Sequence, residues 1–342
     1  MIRSVIKSGG FALVLVLWVL SLLTIMAGSF ALSMRREAAI VAGSSSNAQA
    51  VAVAESGLAV AELMMMTPDQ QQRWRTDGSI YQIDYPESKV RVQLLAETGK
   101  VDVNSADQSL LQELMLHAPV AEELQTKLVN AILDWRDADD LVRLEGAEKE
   151  EYKDAGLSYQ PSNKPFQSIE ELQLVLGMNG QVFNWLESLV TVYSGQPVVD
   201  LTQASKEVLQ VLPGIDAGLI DDYIAAYIAA RRESAINGLP APAFGANVEA
   251  GDRPVAPISA VIGGTPVTVP EQKGAITVVT EALLGDGTTA MIKALIKKSG
   301  GIGASPFQTL KWQRSTVVGA SLFTDEKDQL LVRQYAEPEF NN

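Results

Sequence analysis

Acidic side chains are concentrated between residues 134 and 154, which makes this segment the first candidate for chemistry. Calcium in proteins takes about six to eight oxygen ligands, and alternating carboxylates on a loop can supply several of them. The candidate ligands are Asp134, Asp137, Asp139, Asp140, Glu148 and Glu151. The spacing is not that of an EF-hand, because the required glycine and the closing glutamate are misplaced. The sequence therefore predicts a calcium-binding loop, and a solvated acidic loop without metal is the alternative.

Few other residues offer reactive groups. The chain has 342 residues, no cysteine and one histidine, His117. The lack of cysteine excludes disulfides, thiolate nucleophiles and Cys-based metal sites. His117 precedes Ala118–Pro119 at the predicted end of a helix, where a capping or surface role is expected and not a catalytic one. Phosphate-binding, nucleophile-elbow and dinucleotide motifs are missing as well, so the sequence predicts a protein that is not an enzyme.

The acidic charge balance bears on nucleic-acid binding. The formal net charge of −14 repels phosphate backbones and argues against nucleic acid as a partner. The segment Leu212-Pro-Gly-Ile215, between two predicted helices, nevertheless resembles a helix-hairpin-helix turn, whose backbone amides can contact DNA phosphate. Asp216, Asp221 and Asp222 surround this turn and would repel phosphate. Structural packing of the turn is therefore favoured, and a membrane-anchored DNA-binding receptor is the alternative function.

A second candidate for chemistry is a processing site at the N-terminus. A basic leader with Arg3 and Lys7 ends in Gly9–Gly10. The following run, Phe11–Leu32, is uncharged, and at about 1.5 Å per residue it spans roughly 33 Å, enough for a hydrocarbon core of about 30 Å. It predicts one transmembrane helix. A secretory signal cut near Ala27–Gly28–Ser29 and an unprocessed anchor are the alternatives.

The elements that must carry these groups follow from the periodicity of apolar residues. A helical pattern continues from Glu37 to Met66, and Thr67–Pro68 ends it, because the residue before proline is forced out of the helical region. Alternating patterns predict five strands, namely Ile80–Tyr85, Lys89–Ala96, Ala275–Glu281, Thr288–Lys298 and Phe307–Arg314. A long helix beside antiparallel strands is an α+β arrangement.

Between the two groups of strands lies a helical region that contains an internal repeat. Residues 101–114 align with residues 199–212, with six identical positions of fourteen. A second predicted helix follows each unit, Ala121–Trp135 after the first and Ala217–Arg232 after the second.

Three caps are predicted at helix starts in this region. Asn104 and Thr202 are the expected N-caps of the first helix in each repeat unit, because their side chains can satisfy free backbone donors. Ser168 with Glu171 forms a predicted capping box.

The leader and the long helix resemble those of type IV pilins and pseudopilins. The runs Phe11–Leu20 and Arg35–Ala39 are similar to the minor pseudopilin K family of type II secretion, also called general secretion pathway protein K. Leu174–Met178 and Pro306–Arg314 also resemble segments of this family. At the fifth position after the predicted cut, ordinary pilins have a glutamate, whereas this chain has Leu15. The K family shares that departure.

The resemblance implies roles for individual residues. Prepilin peptidase would cut after Gly10, and the new amine of Phe11 would be methylated. Leu15 would mark a subunit at the filament tip, because it offers no counter-charge to the buried amine of a following subunit. Family members with an acidic loop after a similar Asp-Trp pair support the calcium prediction, and no other cofactor is expected.

The resemblance also implies the architecture. It is a pseudopilin fold in which a long N-terminal helix, its first half transmembrane, packs on a small antiparallel sheet with a large inserted all-α domain. The expected boundaries are a leader at 1–10, a transmembrane helix at 11–33, the periplasmic part of that helix at 34–66, a sheet domain at 67–100 and 274–342, a helical domain at 101–236 and a Pro/Gly-rich linker at 237–273.

The implied function is structural. The chain would sit in the bacterial inner membrane with its bulk in the periplasm, at the tip of the type II secretion pseudopilus, where it would initiate or cap assembly for export of folded proteins. The implied partners are minor pseudopilins I and J, the major pseudopilin, the inner-membrane assembly platform and prepilin peptidase, with no nucleic acid. A minor pilin of a type IV pilus is a further alternative.

Overall fold

The structure is a computed structural model, and part of the chain is described by it. The described residues are 11–69, 72–213, 217–236, 242, 248–250, 253–255, 274–299, 305–315, 321–325 and 327–332. The predicted leader 1–10 and most of the predicted linker 237–273 lie outside the described residues.

A single helix, α1, runs from Phe11 to Met65. Its 55 residues extend about 80 Å at about 1.5 Å per residue. Within the described ranges it is the one helix that is long and apolar enough to cross a membrane. Side chains from Leu13 to Ser45 are exposed, and the first buried residue is Ala50. The helix therefore changes from an apolar rod exposed on all sides to a helix with one buried face.

The described strands form one large sheet and two small ones. The ten strands are β1 (Asp77–Tyr85), β2 (Ser88–Ala96), β3 (Val101–Asp102), β4 (Val190–Thr191), β5 (Val248–Ala250), β6 (Arg253–Val255), β7 (Ala275–Leu284), β8 (Thr289–Lys298), β9 (Phe307–Ser315) and β10 (Leu331–Val332). The large sheet has the order β10-β1-β2-β7-β8-β9, while β3 pairs with β4 and β5 with β6. All five predicted strands are present, and the predicted α+β arrangement is confirmed.

The large sheet is antiparallel, as predicted, except at one edge. β10 pairs in parallel with β1, with Ile80 opposite Leu331 and Tyr81 opposite Val332, so the sheet is mixed. A strand of two residues has no alternation of apolar and polar positions, and for that reason the sequence pattern does not reveal it.

Small residues let α1 approach the sheet closely. Ala50, Ala54 and Ala61 are buried on its sheet-facing side, where α1 packs on β2, β7 and β8. At Gly57 a Cβ atom would lie 2.6 Å from Val90 Cγ1, so glycine allows this approach. This face of the sheet and the buried face of α1 form one hydrophobic core.

The direction of α1 relative to β2 fixes which end of the sheet lies nearer to the exposed apolar part of α1. Gln49 and Ala52 line one shallow cavity with Pro86 and Glu87 of the β1–β2 turn, and Gly57, further along α1, lies against Val90 and Val92 further along β2. Helix α1 therefore runs in the same direction as β2. Since the exposed apolar part of α1 precedes this contact, the end of the sheet at Ala96 is the end farther from the exposed apolar part of α1, which would be the membrane-distal end if that part is an anchor.

Residues 97–274 are inserted between β2 and β7, which are neighbours in the sheet, with Ala96 opposite Ile276. The helices of this region are α2 (Gln108–Leu116), α3 (Glu122–Arg136), α4 (Lys149–Asp154), α5 (Gly180–Leu186), α6 (Lys206–Leu209) and α7 (Ala217–Ile236). They enclose a second hydrophobic core, in which Trp135 stacks on Phe166 with ring centroids 6.0 Å apart. The inserted region thus has a core of its own.

The repeat units begin with the same local structure, although the predicted caps Asn104 and Thr202 are wrong. At the start of α2 the Asp107 carboxylate accepts a hydrogen bond from Leu110 N (2.8 Å). At the start of α6 the Ser205 hydroxyl accepts one from Val208 N (3.4 Å). Asp107 and Ser205 hold the same position in the two aligned units, three residues after the predicted caps.

The side chains predicted as caps form other hydrogen bonds. The Asn104 amide donates to Phe166 O (2.9 Å) and accepts from Phe166 N (2.8 Å), which ties the first unit to a distant loop. The Thr202 hydroxyl donates to Asp200 Oδ1 (2.7 Å). The predicted capping box is wrong too, because Ser168 makes no side-chain cap to the 3₁₀ helix that follows it.

Part of the outer face of the sheet, opposite α1, is covered by residues 321–325 and 327–330. Arg91 Nη1 donates to Leu322 O (2.8 Å) and pairs with Asp328 (2.6 Å). Glu281 is buried and accepts hydrogen bonds from Ser321 Oγ (3.0 Å) and Leu322 N. The central strands are therefore buried on both faces.

Candidate functional site

The first candidate site is the start of α1. The helix begins at Phe11, and its first turn contains no acidic residue. Leu15 is about half exposed, and the first carboxylate along the helix belongs to Glu37. Gly10, the residue before the predicted cut, lies outside the described residues. The described surface around the predicted mature N-terminus is therefore apolar and uncharged.

The second candidate site is the acidic loop between α3 and α4, and its centre is Asp134. This aspartate lies in the last turn of α3 and is fully buried. Its carboxylate accepts hydrogen bonds from Ala147 N (2.9 Å) and Arg143 N (3.3 Å) and pairs with Arg143 Nη1 (2.6 Å). A Cβ atom at Gly146 would lie 2.0 Å from Asp134 Oδ2, so only glycine fits there. The loop is folded around a single carboxylate.

Glu148 is the unusual residue of this loop. It is 5% exposed, and neither of its carboxylate oxygens has a hydrogen-bond partner. Burial, followed by the nearby carboxylates of Asp134 and Asp137, raises the pKa of Glu148 to about 7. Trp135 Nε1 and Asp137 Oδ1 are also buried without a partner. Of the five such polar atoms in the described part of the chain, three belong to this loop, the fourth belongs to Trp135 in the last turn of α3, and the fifth is Thr280 Oγ1.

The remaining predicted ligands bind nearby groups of the protein. Asp139 Oδ1 accepts from Leu141 N (2.9 Å), and Asp140 Oδ1 accepts from Asn163 Nδ2 (2.8 Å). Glu151 Oε2 accepts from Glu148 N (2.9 Å) at the start of α4. Among the described residues, no three carboxylate or histidine side chains converge closely enough to hold a metal ion. The six predicted ligands thus share one loop without a common coordination point.

Arg143 is the residue that the sequence analysis missed. Its guanidinium pairs with both Asp134 and Asp137 and is the positive charge inside the acidic loop. Its position in the sequence, within an acidic run, is the one signal that could have suggested this role. The oxygens of Glu148 and Asp137 that have no hydrogen-bond partner are carboxylate oxygens, which are the type of ligand that calcium prefers. The chemical type of these ligands therefore suits calcium.

Two further sequence candidates have local structural explanations. His117 is exposed at the end of α2, with its ring Nδ1 3.3 Å from Glu113 O, as expected of a residue at a helix terminus. Near the turn that resembles a helix-hairpin-helix, Lys206 pairs with Asp221 (2.8 Å), so this cation is already neutralised. Residues 214–216 of that turn lie outside the described residues.

Comparison with known proteins found a matching family and a similar solved structure. Residues 89–195 match the model of the family described as type II secretion system (T2SS), protein K. A chain from the crystal structure of the GspK-GspI-GspJ complex of the enterotoxigenic Escherichia coli type 2 secretion system is similar with a TM-score of 0.45 and 15% identity, over 83% of this chain and 99% of that chain. No curated protein matches the sequence.

The family match falls on the part of the chain that holds the acidic loop. It begins in β2, continues through α3 and α4, and ends just after β4. It therefore includes the first repeat unit and every predicted calcium ligand. The match confirms the resemblance seen in the sequence and supports the assignment of the chain to the type II secretion protein K family.

Proposed function

We propose that this chain is a structural minor pseudopilin at the tip of the type II secretion pseudopilus, where it initiates or caps assembly for export of folded proteins across the outer membrane. The observation that carries the proposal is the family match over residues 89–195. The long apolar helix α1 supports it, since it suits a single-pass anchor in the inner membrane with the bulk of the chain in the periplasm. The function is mechanical and involves no catalysis.

The shape of the chain is consistent with a tip position. The inserted region leaves and re-enters the sheet at the end distal to the membrane, next to Ala96 and Ala275. In a filament that grows from the membrane, the next older subunit would stack above this end. A bulky unit there blocks stacking on its distal side, which only the first subunit of the filament tolerates.

The lack of charged residues in the first part of α1 also supports a tip position. A mature N-terminal amine placed in hydrocarbon needs a counter-charge, because an unpaired buried charge is costly. Between Leu13 and Leu32 the helix carries no charged residue, so Leu15 and its neighbours cannot provide one to an adjacent subunit.

The partners follow from the same proposal. In the enterotoxigenic Escherichia coli structure, GspK is in a complex with GspI and GspJ. We expect this chain to assemble with the corresponding minor pseudopilins I and J, and to meet the major pseudopilin, the inner-membrane assembly platform and prepilin peptidase.

Processing and position can be tested together. Mass spectrometry of the purified chain should give a mature form that begins at a methylated Phe11. Immunogold labelling of sheared pseudopili should place the wild-type chain at filament ends. The Leu15→Glu and Leu22→Glu proteins, which each add one charge to the same exposed apolar helix, should also stay at the ends, because the inserted region still blocks stacking on its distal side. Wild-type label spaced along the shaft would contradict the tip position.

We also propose that the acidic loop binds calcium through Glu148, Asp137 and Asp134, with Asp139, Asp140 and Glu151 contributing. The ion would supply positive charge to carboxylates that Arg143 neutralises only in part. Because Glu148 must lose its proton to act as a ligand, affinity should increase as the pH rises through about 7.

Thermal melts test this site directly. Calcium at about 100 times its dissociation constant should stabilise the wild-type protein by about 2.7 kcal/mol. Glu148→Gln should remove that effect, while Glu150→Gln, an exposed position on α4, should retain it. An unchanged melting temperature of the wild-type protein in millimolar calcium would argue against the site.

A further inference from the structure

The outer edge of β9 is open in the described structure. β9 is the last strand of the large sheet, and none of the described residues pairs with its outer side. The opposite edge differs, because the two-residue strand β10 covers part of β1 there. An open edge presents backbone donors and acceptors that another extended chain can pair with.

The register identifies which groups point outward. Ser299 N donates to Pro306 O (2.8 Å), and hydrogen-bonded pairs alternate with non-hydrogen-bonded pairs along an antiparallel ladder. Phe307, opposite Lys298, therefore directs its amide and carbonyl away from β8. After the bulge next to Leu310, Trp312 and Arg314 lie opposite Ala294 and Ile292, which are an even number of positions from Lys298 along β8. The amide and carbonyl groups of Trp312 and Arg314 therefore also point away from β8.

The β9 edge of the sheet is basic, although the protein as a whole is acidic. β8 and β9 together contain five basic residues and no acidic one, although the whole chain has 41 acidic and 27 basic residues. Lys293 and Lys311 pair with Glu187 and Glu170 of the inserted region, on the outer face. Arg314 is exposed on the face that carries α1, in register with Ile292.

Apolar side chains at the same edge lack complete cover. Helix α1 packs on β2, β7 and β8, and β9 lies beside that cover. Trp312, opposite Ala294, is 42% exposed, and Leu310 in the bulge is 38% exposed. Edge strands are usually blunted by free lysines and bulges. Here the lysine of β9 is bound to Glu170, and the bulge leaves the regular segment from Trp312 to Ser315 accessible.

We propose that the outer edge of β9 binds an extended acidic segment of minor pseudopilin I or J, which adds to the sheet as a seventh strand. The inference rests on the proposed function, because it assigns the surface that these partners use. Backbone pairing with Trp312 and Arg314 holds the segment, a carboxylate pairs with Arg314, and an apolar side chain covers Trp312.

The test uses the mature full-length chain in detergent micelles and the purified proteins I and J of the same secretion system. Hydrogen exchange measured by mass spectrometry should slow in the peptide covering residues 305–315 when the partners are added. Arg314→Glu should weaken binding by about tenfold, since it places like charges opposite each other. Lys127→Glu, which reverses an exposed charge on α3, is the control and should change the affinity less than about twofold.

The outcomes separate the two proposals. Slowed exchange at 305–315 together with selective weakening by Arg314→Glu supports the β9 site. Normal binding without protection of this peptide, and without an effect of Arg314→Glu, overturns the β9 site and leaves the proposed function standing. If the wild-type chain binds neither partner, both proposals fail. Arg314 is exposed, so an unchanged melting temperature of the variant shows that the fold is intact.

Discussion

The ion pair at the centre of the acidic loop should be worth far more than an exposed ion pair of the same protein. Asp134 is fully buried, and its oxygen lies 2.6 Å from Arg143 Nη1. Lys153 and Glu150 form a pair at 3.1 Å on the surface of α4. The two pairs differ in burial and also in distance and residue type, and a double-mutant cycle on each measures its coupling energy.

The expected magnitudes follow from burial. Removing one partner of a buried pair typically costs about 3–5 kcal/mol. The Arg143 side chain is 38% exposed and keeps Asp137 as a second partner, so screening reduces that value. We expect a coupling energy of about 1–2 kcal/mol between Asp134→Asn and Arg143→Met. For Glu150→Gln and Lys153→Met we expect at most about 0.5 kcal/mol.

Urea unfolding followed by tryptophan fluorescence suits the measurement, because Trp135 follows Asp134 directly and stacks on Phe166. A chelator must be present in all samples, since bound calcium would compete with Arg143 for the same carboxylates. Asparagine at position 134 keeps an acceptor for Ala147 N, so the cycle reports charge and not a lost backbone contact. Equal coupling energies in the two cycles would refute the view that burial makes the Asp134–Arg143 pair the support of the loop.

Two further predictions concern the sheet. Gly57→Ala should destabilise the protein by about 1–3 kcal/mol in thermal melts, because the new Cβ would meet Val90 Cγ1 at 2.6 Å, whereas Gly43→Ala, with no atom within 4 Å, should be neutral or stabilising. Burial raises the pKa of Glu281 above its ordinary value of 4.5, so the folded state holds this proton more tightly than the unfolded state and stability falls as the pH rises above that value. Urea unfolding across this range should show a shallower fall in Glu281→Gln protein and no change in Glu87→Gln protein, a control at an exposed turn position.

The strands and the long helix could be predicted because their signals are periodic over many residues. β7 and β8 alternate between the α1 face and the outer face over ten residues each, so single exceptions do not hide the pattern. Helix α1 ends at Met65, one residue before its predicted end, because Thr67–Pro68 acts through local backbone sterics.

The acidic loop shows where prediction from sequence stops. The composition identified the carboxylates, but not which of them would be buried without a partner. That depends on Gly146, which lets the chain pass against Asp134, and on Arg143, which returns to the carboxylates from nine residues further along. The caps failed for a similar reason. Asn104 looks like a helix cap, but its amide fits the backbone of Phe166, which is 62 residues away.

The contacts between the sheet and the inserted region explain how a large unit can sit on a small sheet without disturbing it. Because the insertion starts and ends on paired neighbouring strands, its two ends meet without strain on the register. Two partly exposed ion pairs join the two parts, Lys293 with Glu187 and Lys311 with Glu170, and each is worth about 0–1 kcal/mol. Two hydrogen bonds also cross from the sheet to the inserted region. The Thr277 hydroxyl donates to the buried Glu97 carboxylate (2.6 Å), and the Thr76 hydroxyl donates to Gln203 Oε1 (3.0 Å). Within the inserted region, a Cβ atom at Gly99 would lie 2.2 Å from Gln203 O. The short joint at residues 97–99 therefore helps to set the orientation of the unit at the Ala96 end of the sheet, and a side chain at Gly99 should move the unit while leaving both cores folded.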